Sequence, residues 1–289
     1  MSQSSKKNTE GSHQEWGEIW SEYSAEESPM MKLFTRSTPR SIYEFWQKAY
    51  FDDFKTLFDP DREYRFLELG SGRGTTSMYL ASEGWEDITL VDLAETALEQ
   101  ARKNFASENL RPPNTKLANA EDTGLPANEF DAIYNIGVLE HFEDPVPLLT
   151  EAVRLLKPGG QIFMPIVPDA PFLKSMFCRA LFNPWSLVKY VGKQLLRPRV
   201  KVRDTNMIRT NTSRHQYIKF AMEAGLTNVR CVPYNPYWKV NEDNSMTMNR
   251  IALPLYRTHF RMKRSLGFRF GMTTLGMMNF CLLLTGEKS

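Results

Sequence analysis

Cysteine is scarce in this 289-residue chain, and the three present, Cys178, Cys231 and Cys281, are odd in number and far apart. That excludes a disulfide framework or a zinc knuckle and fits a reducing compartment. Long apolar runs are also lacking. The charge-free stretch 270–286 has 17 residues and is interrupted by Gly271, Gly276 and Gly286, short of the about 20 apolar residues that a membrane span requires. It reads as a loop followed by a buried strand over 280–285. Residues 1–14 are polar and have no apolar segment of the kind an export signal carries, so a disordered tail and a cytoplasmic location are expected.

What is present is the composition of an ordinary globular protein: 42% hydrophobic and 24% charged residues, with a mean hydropathy of −0.44. The length allows one large α/β domain or one domain with an added lobe. The net charge of +2 hides an asymmetry. Residues 1–167 hold 16 Lys+Arg against 28 Asp+Glu, and residues 168–289 hold 20 against 6, so the halves carry −12 and +14. The second half is expected to meet something anionic, or the acidic half of its own fold.

Helical periodicity over 15–57, with Trp46, Tyr50 and Phe54 on one face, predicts a helical segment capping the domain. Strands and helices then alternate: strands over 64–69, 88–92, 115–118, 130–136 and 161–166, and helices over 75–83, 94–108 and 147–156. This is the pattern of parallel βαβ units. A helix over 213–224 and strands over 229–233 and 280–285 follow. The expected fold is α/β, a Rossmann-like and mostly parallel seven-stranded sheet with helices on both faces. The expected boundaries are a tail over 1–14, a cap over 15–60 and a domain over 61–289, with insertions at about 168–212 and 236–278 forming a lid.

Strand 64–69 runs into Gly70-Ser71-Gly72-Arg73-Gly74-Thr75 and then a helix. Glycines there permit positive φ and admit a ligand to the backbone, and the helix start offers N–H groups. A dinucleotide fold asks for G-x-G-x-x-G; here the spacing is G-x-G-x-G, with Thr75 in place of the last glycine. Glu68 at the strand end would repel a pyrophosphate and accept from an ammonium, which favours S-adenosyl-L-methionine over NAD. Asp92 ends the next strand, where it suits ribose hydroxyls or the start of the following helix.

These residues resemble the class I S-adenosylmethionine-dependent methyltransferases, and in particular the small-molecule group that includes the ubiquinone and menaquinone methylases. The resemblance covers residues 64–168. It implies that Glu68, Gly70, Ser71, Gly72 and Gly74 contact the amino-acid part of the cofactor, that Asp92 takes the ribose, and that Leu93 lies beside the adenine. The family's adenine-clamping segment is matched by Asn119-Ala120-Glu121-Asp122, with one extra residue before Leu125-Pro126, which leaves open whether Glu121 or Asp122 faces the cofactor. Asn135-Ile136-Gly137 through His141 is similar to the family's strand-four motif, and Leu155 to Gly160 to its turn into strand five.

Methyl transfer from a sulfonium is a displacement governed by positioning, and a base is required only where the acceptor loses a proton. His141 is the candidate catalytic base, against a structural role at the helix start. No metal is expected, since Glu140, His141, Glu143 and Asp144 are adjacent residues and such hard-cation sites are uncommon. His215 and His259 lack recognisable partners. Tyr234-Asn235-Pro236-Tyr237 is similar to a motif of amino-methyltransferases acting on nucleic acid, but it falls away from strand four and reads as a turn.

The basic second half, with cations from Lys174 to Arg203 and again from Arg257 to Arg269 among aromatics, admits several readings. It is a lid with solvated cations, a surface for an anionic membrane or an amphiphilic acceptor, or a single-strand binder; no RNA-binding motif is present and nucleic acid is not expected. The expected activity is methyl transfer to a small-molecule or lipid-like acceptor. The alternative is a non-catalytic cofactor-binding or assembly protein of the same fold.

Overall fold

In the computed structural model the described residues are 42–167, 210, 212–235, 246–273 and 281–289. The expected tail, the start of the cap, the first insertion with Cys178, and Pro236-Tyr237 lie outside them.

Five parallel strands, β1 (Phe66–Leu69), β2 (Ile88–Asp92), β3 (Asn114–Leu117), β4 (Phe130–Tyr134) and β5 (Leu156–Ile166), are joined by β7 (Cys281–Lys288) and β6 (Leu226–Tyr234). The sheet order is β3-β2-β1-β4-β5-β7-β6, with β7 antiparallel to both of its neighbours. Among the described residues six α-helices accompany them: α1 (Ile42–Phe54), α2 (Thr75–Ser82), α3 (Glu95–Ser107), α4 (Val146–Leu155), α5 (Arg214–Glu223) and α6 (Met246–Ser265).

The period of two along each strand divides the core. Phe66, Leu90, Ala132 and Phe163 face one layer with Phe51 and Phe54 of α1, Met78 and Leu80 of α2, and Phe105 of α3. Leu67, Leu69, Val91, Ile133 and Met164 face the other, against Leu148, Leu149 and Ala152 of α4 and Tyr217 and Ala221 of α5. The near-continuous apolar runs of β1, β2 and β4 follow from this burial on both faces.

Helix α1 is anchored by a buried polar cluster. Asp53 accepts from the amides of Gly271 (2.7 Å) and Met272 (2.9 Å) and from the Tyr234 hydroxyl (2.9 Å). Beside it, the Asn235 amide donates to the Tyr50 hydroxyl (2.6 Å). Burial pushes the Asp53 carboxyl up to about 6 despite these donors. The Tyr234-Asn235 pair thus belongs to a structural joint between α1, the end of β6 and the turn at 270–273.

Two elements differ from the sequence reading. Helix α6 occupies a stretch expected only as insertion, because Pro254 in its interior and basic–aromatic interleaving mask its period. Strand β5 begins at Leu156, because the chain pairs with Phe130 before a register shift and again from Gln161. Cys231 and Cys281 are buried free thiols.

Candidate active site

The strand order turns back between β1 and β4, which leaves a crevice at their carboxyl ends. The residues that follow β1, β2 and β4 border it. Gly70, Gly72 and Gly74 all adopt left-handed φ (+65°, +50° and +66°), a region costly for residues with a Cβ. A Cβ on Gly70 would stand 2.8 Å from Val138 Cγ2, whereas one on Gly74 would meet Leu90, Ala101 and Phe105. Gly70 is therefore required by the strand-four loop across the crevice, and Gly74 by packing of the loop on β2 and α3.

Most of the loop's amides are already occupied. Those of Gly70 and Ser71 donate to the Val91 carbonyl, that of Gly72 to Asp92 Oδ2 (2.8 Å), and that of Gly74 to the Ser71 carbonyl. A phosphate cradle needs free N–H donors; this loop offers chiefly a bare backbone surface and the Ser71 hydroxyl. Asp92 also accepts from Ala94 N–H through Oδ1 (2.9 Å). It ties the glycine loop to the start of α3.

Glu68 lies beneath the loop and faces Ser77, whose hydroxyl donates to it, while Ser77 also lies 2.5 Å from the Tyr134 hydroxyl. Burial, the largest influence, pushes the Glu68 carboxyl up to about 8 against the lowering effect of Ser77, with Asp92 nearby adding to the rise. The carboxyl, expected from the sequence to accept from an ammonium, is turned towards Ser77. Neither Ser77 nor Tyr134 was singled out in the sequence; the register pairing Glu68 with Tyr134 is what joins them.

Past β4, Asn135 is fully buried, and its side-chain oxygen and nitrogen both lack a partner among the described residues; the Ser71 hydroxyl is in the same condition. Gly137 has φ +73°, and a Cβ there would lie 3.3 Å from the carboxylate of buried Glu140. His141 ends the 3-10 turn Leu139–His141 and is half-buried. Beyond β3, Ala118 N–H donates to the Asp92 carbonyl, bringing the 118–122 turn to the same edge. There Asn119 bonds the backbone and side chain of Glu121, Ala120 is buried, Glu121 is half-buried and Asp122 is exposed. Leu93 is half-buried next to Asp92.

A depression lined by Arg65, Asp87, Arg111, Asp131 and Lys157 sits at the opposite end of the strands. Its charges are paired as Arg65–Asp87, Arg111–Glu86 and Lys157–Asp131. Among the described residues no group of three or more His, Cys, Asp or Glu is arranged to hold a metal.

A family model described as a methyltransferase domain matches residues 67–164. The chain is similar to a ubiquinone biosynthesis O-methyltransferase of Dechloromonas aromatica, 33% identical over 100 residues, covering 35% of this chain and 43% of that one. It is also similar to a demethylmenaquinone methyltransferase of Clavibacter sepedonicus, 28% identical over 162 residues, covering 55% and 58%. The chain thus spans about half the length of these curated relatives. In fold it resembles a Haemonchus contortus phosphoethanolamine N-methyltransferase 2 solved with S-adenosyl-L-methionine, with a TM-score of 0.53, 17% identity and coverage of 83% of this chain and 52% of that one. The strand order, the glycine loop and the matched segment agree: residues 67–164 are similar to a methyltransferase domain and lie on a Rossmann-like fold.

Proposed function

We propose that the protein is an S-adenosyl-L-methionine-dependent methyltransferase acting on a small-molecule or lipid-like acceptor. The observation that carries this is the pair of buried, unpartnered polar side chains, Ser71 within a glycine loop whose amides are largely occupied and Asn135 just after β4. Burying such groups without partners is costly, and an amino-acid moiety would satisfy them, since Asn135 both donates and accepts. A pyrophosphate would not find its N–H cradle.

In this reading Gly70, Ser71, Gly72, Gly74, Asn135 and Gly137 hold the amino-acid part of the cofactor. Asp92 takes the ribose, and Leu93, Asn119, Ala120 and Glu121 border the base. Glu68 supports the loop through Ser77. The cofactor supplies an electrophilic methyl on a sulfonium, which the protein has only to orient towards the acceptor. His141, beyond β4, is the base in this reading and takes a proton where the acceptor is a hydroxyl or amine. A quinone-type acceptor is supported by the names of the relatives, and a cytoplasmic protein with peripheral contact to anionic membrane by the basic second half. Among the described residues no helix is long and apolar enough to cross a membrane.

Isothermal titration of the purified chain with S-adenosyl-L-methionine tests the cofactor. Saturable heat that disappears in Gly72→Arg is expected; no heat from the parent chain sinks the proposal. Incubation with methyl-labelled cofactor and separated soluble and lipid fractions then identifies the acceptor class. For His141→Gln, loss of turnover with cofactor affinity retained and an altered pH profile is expected.

A further inference from the structure

Resting on the membrane contact just proposed, we infer that the outer face of α6 is the surface that docks on an anionic lipid bilayer, lying in the plane of the interface. The helix has two faces. Its inner one, Leu253, Tyr256 and Phe260, packs on α1, with the Phe45 ring 6.4 Å from Tyr256 and 5.9 Å from Phe260. The other carries Leu255 and Met262 and is continued by Leu266 just past the last turn; the three are 65%, 50% and 67% exposed. Spacings of seven and four residues set these three on one stripe. Only six large apolar side chains are exposed among the described residues, and four of them are these three and Phe268 just beyond. Such concentration on one helix face marks an interaction surface.

The charge around the stripe selects the partner. Between Asp243 and Glu287 there is no acidic residue, while Arg250, Arg257, Arg261, Lys263, Arg264 and Arg269 are present. Arg261, Arg264 and Arg269 are exposed, and the Lys263 ammonium sits 3.8 Å from the centroid of the Phe268 ring. Of these cations, Arg264 serves the Arg269 carbonyl and the charge of buried Asp53, while Arg261 and Lys263 fall on the two sides of the stripe. An aliphatic stripe rimmed by cations matches acyl chains beneath phosphate headgroups. Single-stranded nucleic acid would instead call for several exposed rings on which bases stack, and this surface offers one, Phe268, with the Lys263 ammonium over its face.

The test is co-sedimentation of the full chain with vesicles of phosphatidylcholine alone and with about 30% phosphatidylglycerol, at about 0.1 M and about 0.5 M salt. Expected is partition onto anionic vesicles at least about tenfold above neutral ones and weakened by salt. It should fall by about tenfold or more in Leu255→Ser/Met262→Ser/Leu266→Ser and in Arg261→Gln/Lys263→Gln. Leu255, Met262, Leu266 and Arg261 are exposed and Lys263 is half-buried over the exposed Phe268 ring, so melting temperature and cofactor titration should stay close to those of the parent chain. Equal binding to neutral vesicles, undiminished binding by the apolar triple variant, or retention by an oligonucleotide with none by vesicles overturns the inference. A chain that gives no heat with the cofactor but partitions as described loses the methyltransferase reading and keeps this one.

Discussion

Gly70 shows how one missing carbon can define a ligand site. Its left-handed φ and the 2.8 Å approach of a would-be Cβ to Val138 Cγ2 act together. Gly70→Ala is expected to cost about 1–2 kcal/mol from the backbone alone and to weaken cofactor binding by at least about tenfold as the strand-four loop is displaced. Adding Val138→Ala removes the contact but leaves the strain, so affinity should recover further than stability does, as read by titration and melting on the same samples. Glu68 makes a different point at this scale. Its folded pKa, about 8, stands above the unfolded value of 4.5. The unfolded chain therefore releases its proton first, and the fold loses stability as pH rises from about 4.5 to about 8. Glu68→Gln cannot ionise, so its melting temperature relative to the parent should climb from pH 5 to pH 8, by at least about 3 °C. A gap that stays constant with pH would show that Glu68 is ionised in the fold.

Among the elements, those covered on both faces were the legible ones. Strands β1, β2 and β4 and helices α3 and α5 match the sequence reading within a few residues, because period and turn residues agree there. Helix α6 was not legible, since an interior proline and cations on both sides of its apolar stripe blur the period. The candidate site divides in the same way. The glycine loop, Asp92 and Asn135 are local motifs, while the Ser77–Glu68–Tyr134 contact depends on strand register, which no local pattern encodes. The joint at Asp53 was likewise invisible, as its donors come from positions 234, 271 and 272. Asp53→Ala would leave two buried amides and a tyrosine hydroxyl without an acceptor, at a cost of about 3 kcal/mol. That corresponds to a melting temperature lower by roughly 6–12 °C. Cofactor affinity measured well below the transition should be retained, because Asp53 serves the joint and takes no part in the crevice.

Across the whole molecule, the crevice is built from loops that follow three strands. Gly72 is linked to Asp92, Ala118 to the Asp92 carbonyl and Gly137 to Pro165, while Ser71 and Asn135 await partners. A ligand that supplies those partners binds the folded chain and has no site on the unfolded one, so it must raise the melting temperature by mass action. At about one hundred times its dissociation constant the gain is about 2.7 kcal/mol, or roughly 5–11 °C for a domain of this size. S-adenosyl-L-methionine and S-adenosylhomocysteine should both produce it, since both carry the amino-acid and ribose groups. NAD at equal concentration should not, because the amides that would cradle its pyrophosphate already serve Val91, Asp92 and Ser71. Thermal melts with the three ligands read this directly. Stabilisation by NAD equal to that by S-adenosylhomocysteine would mean that the loop amides rearrange to meet a phosphate, and the assignment of the crevice to a sulfonium cofactor would fail.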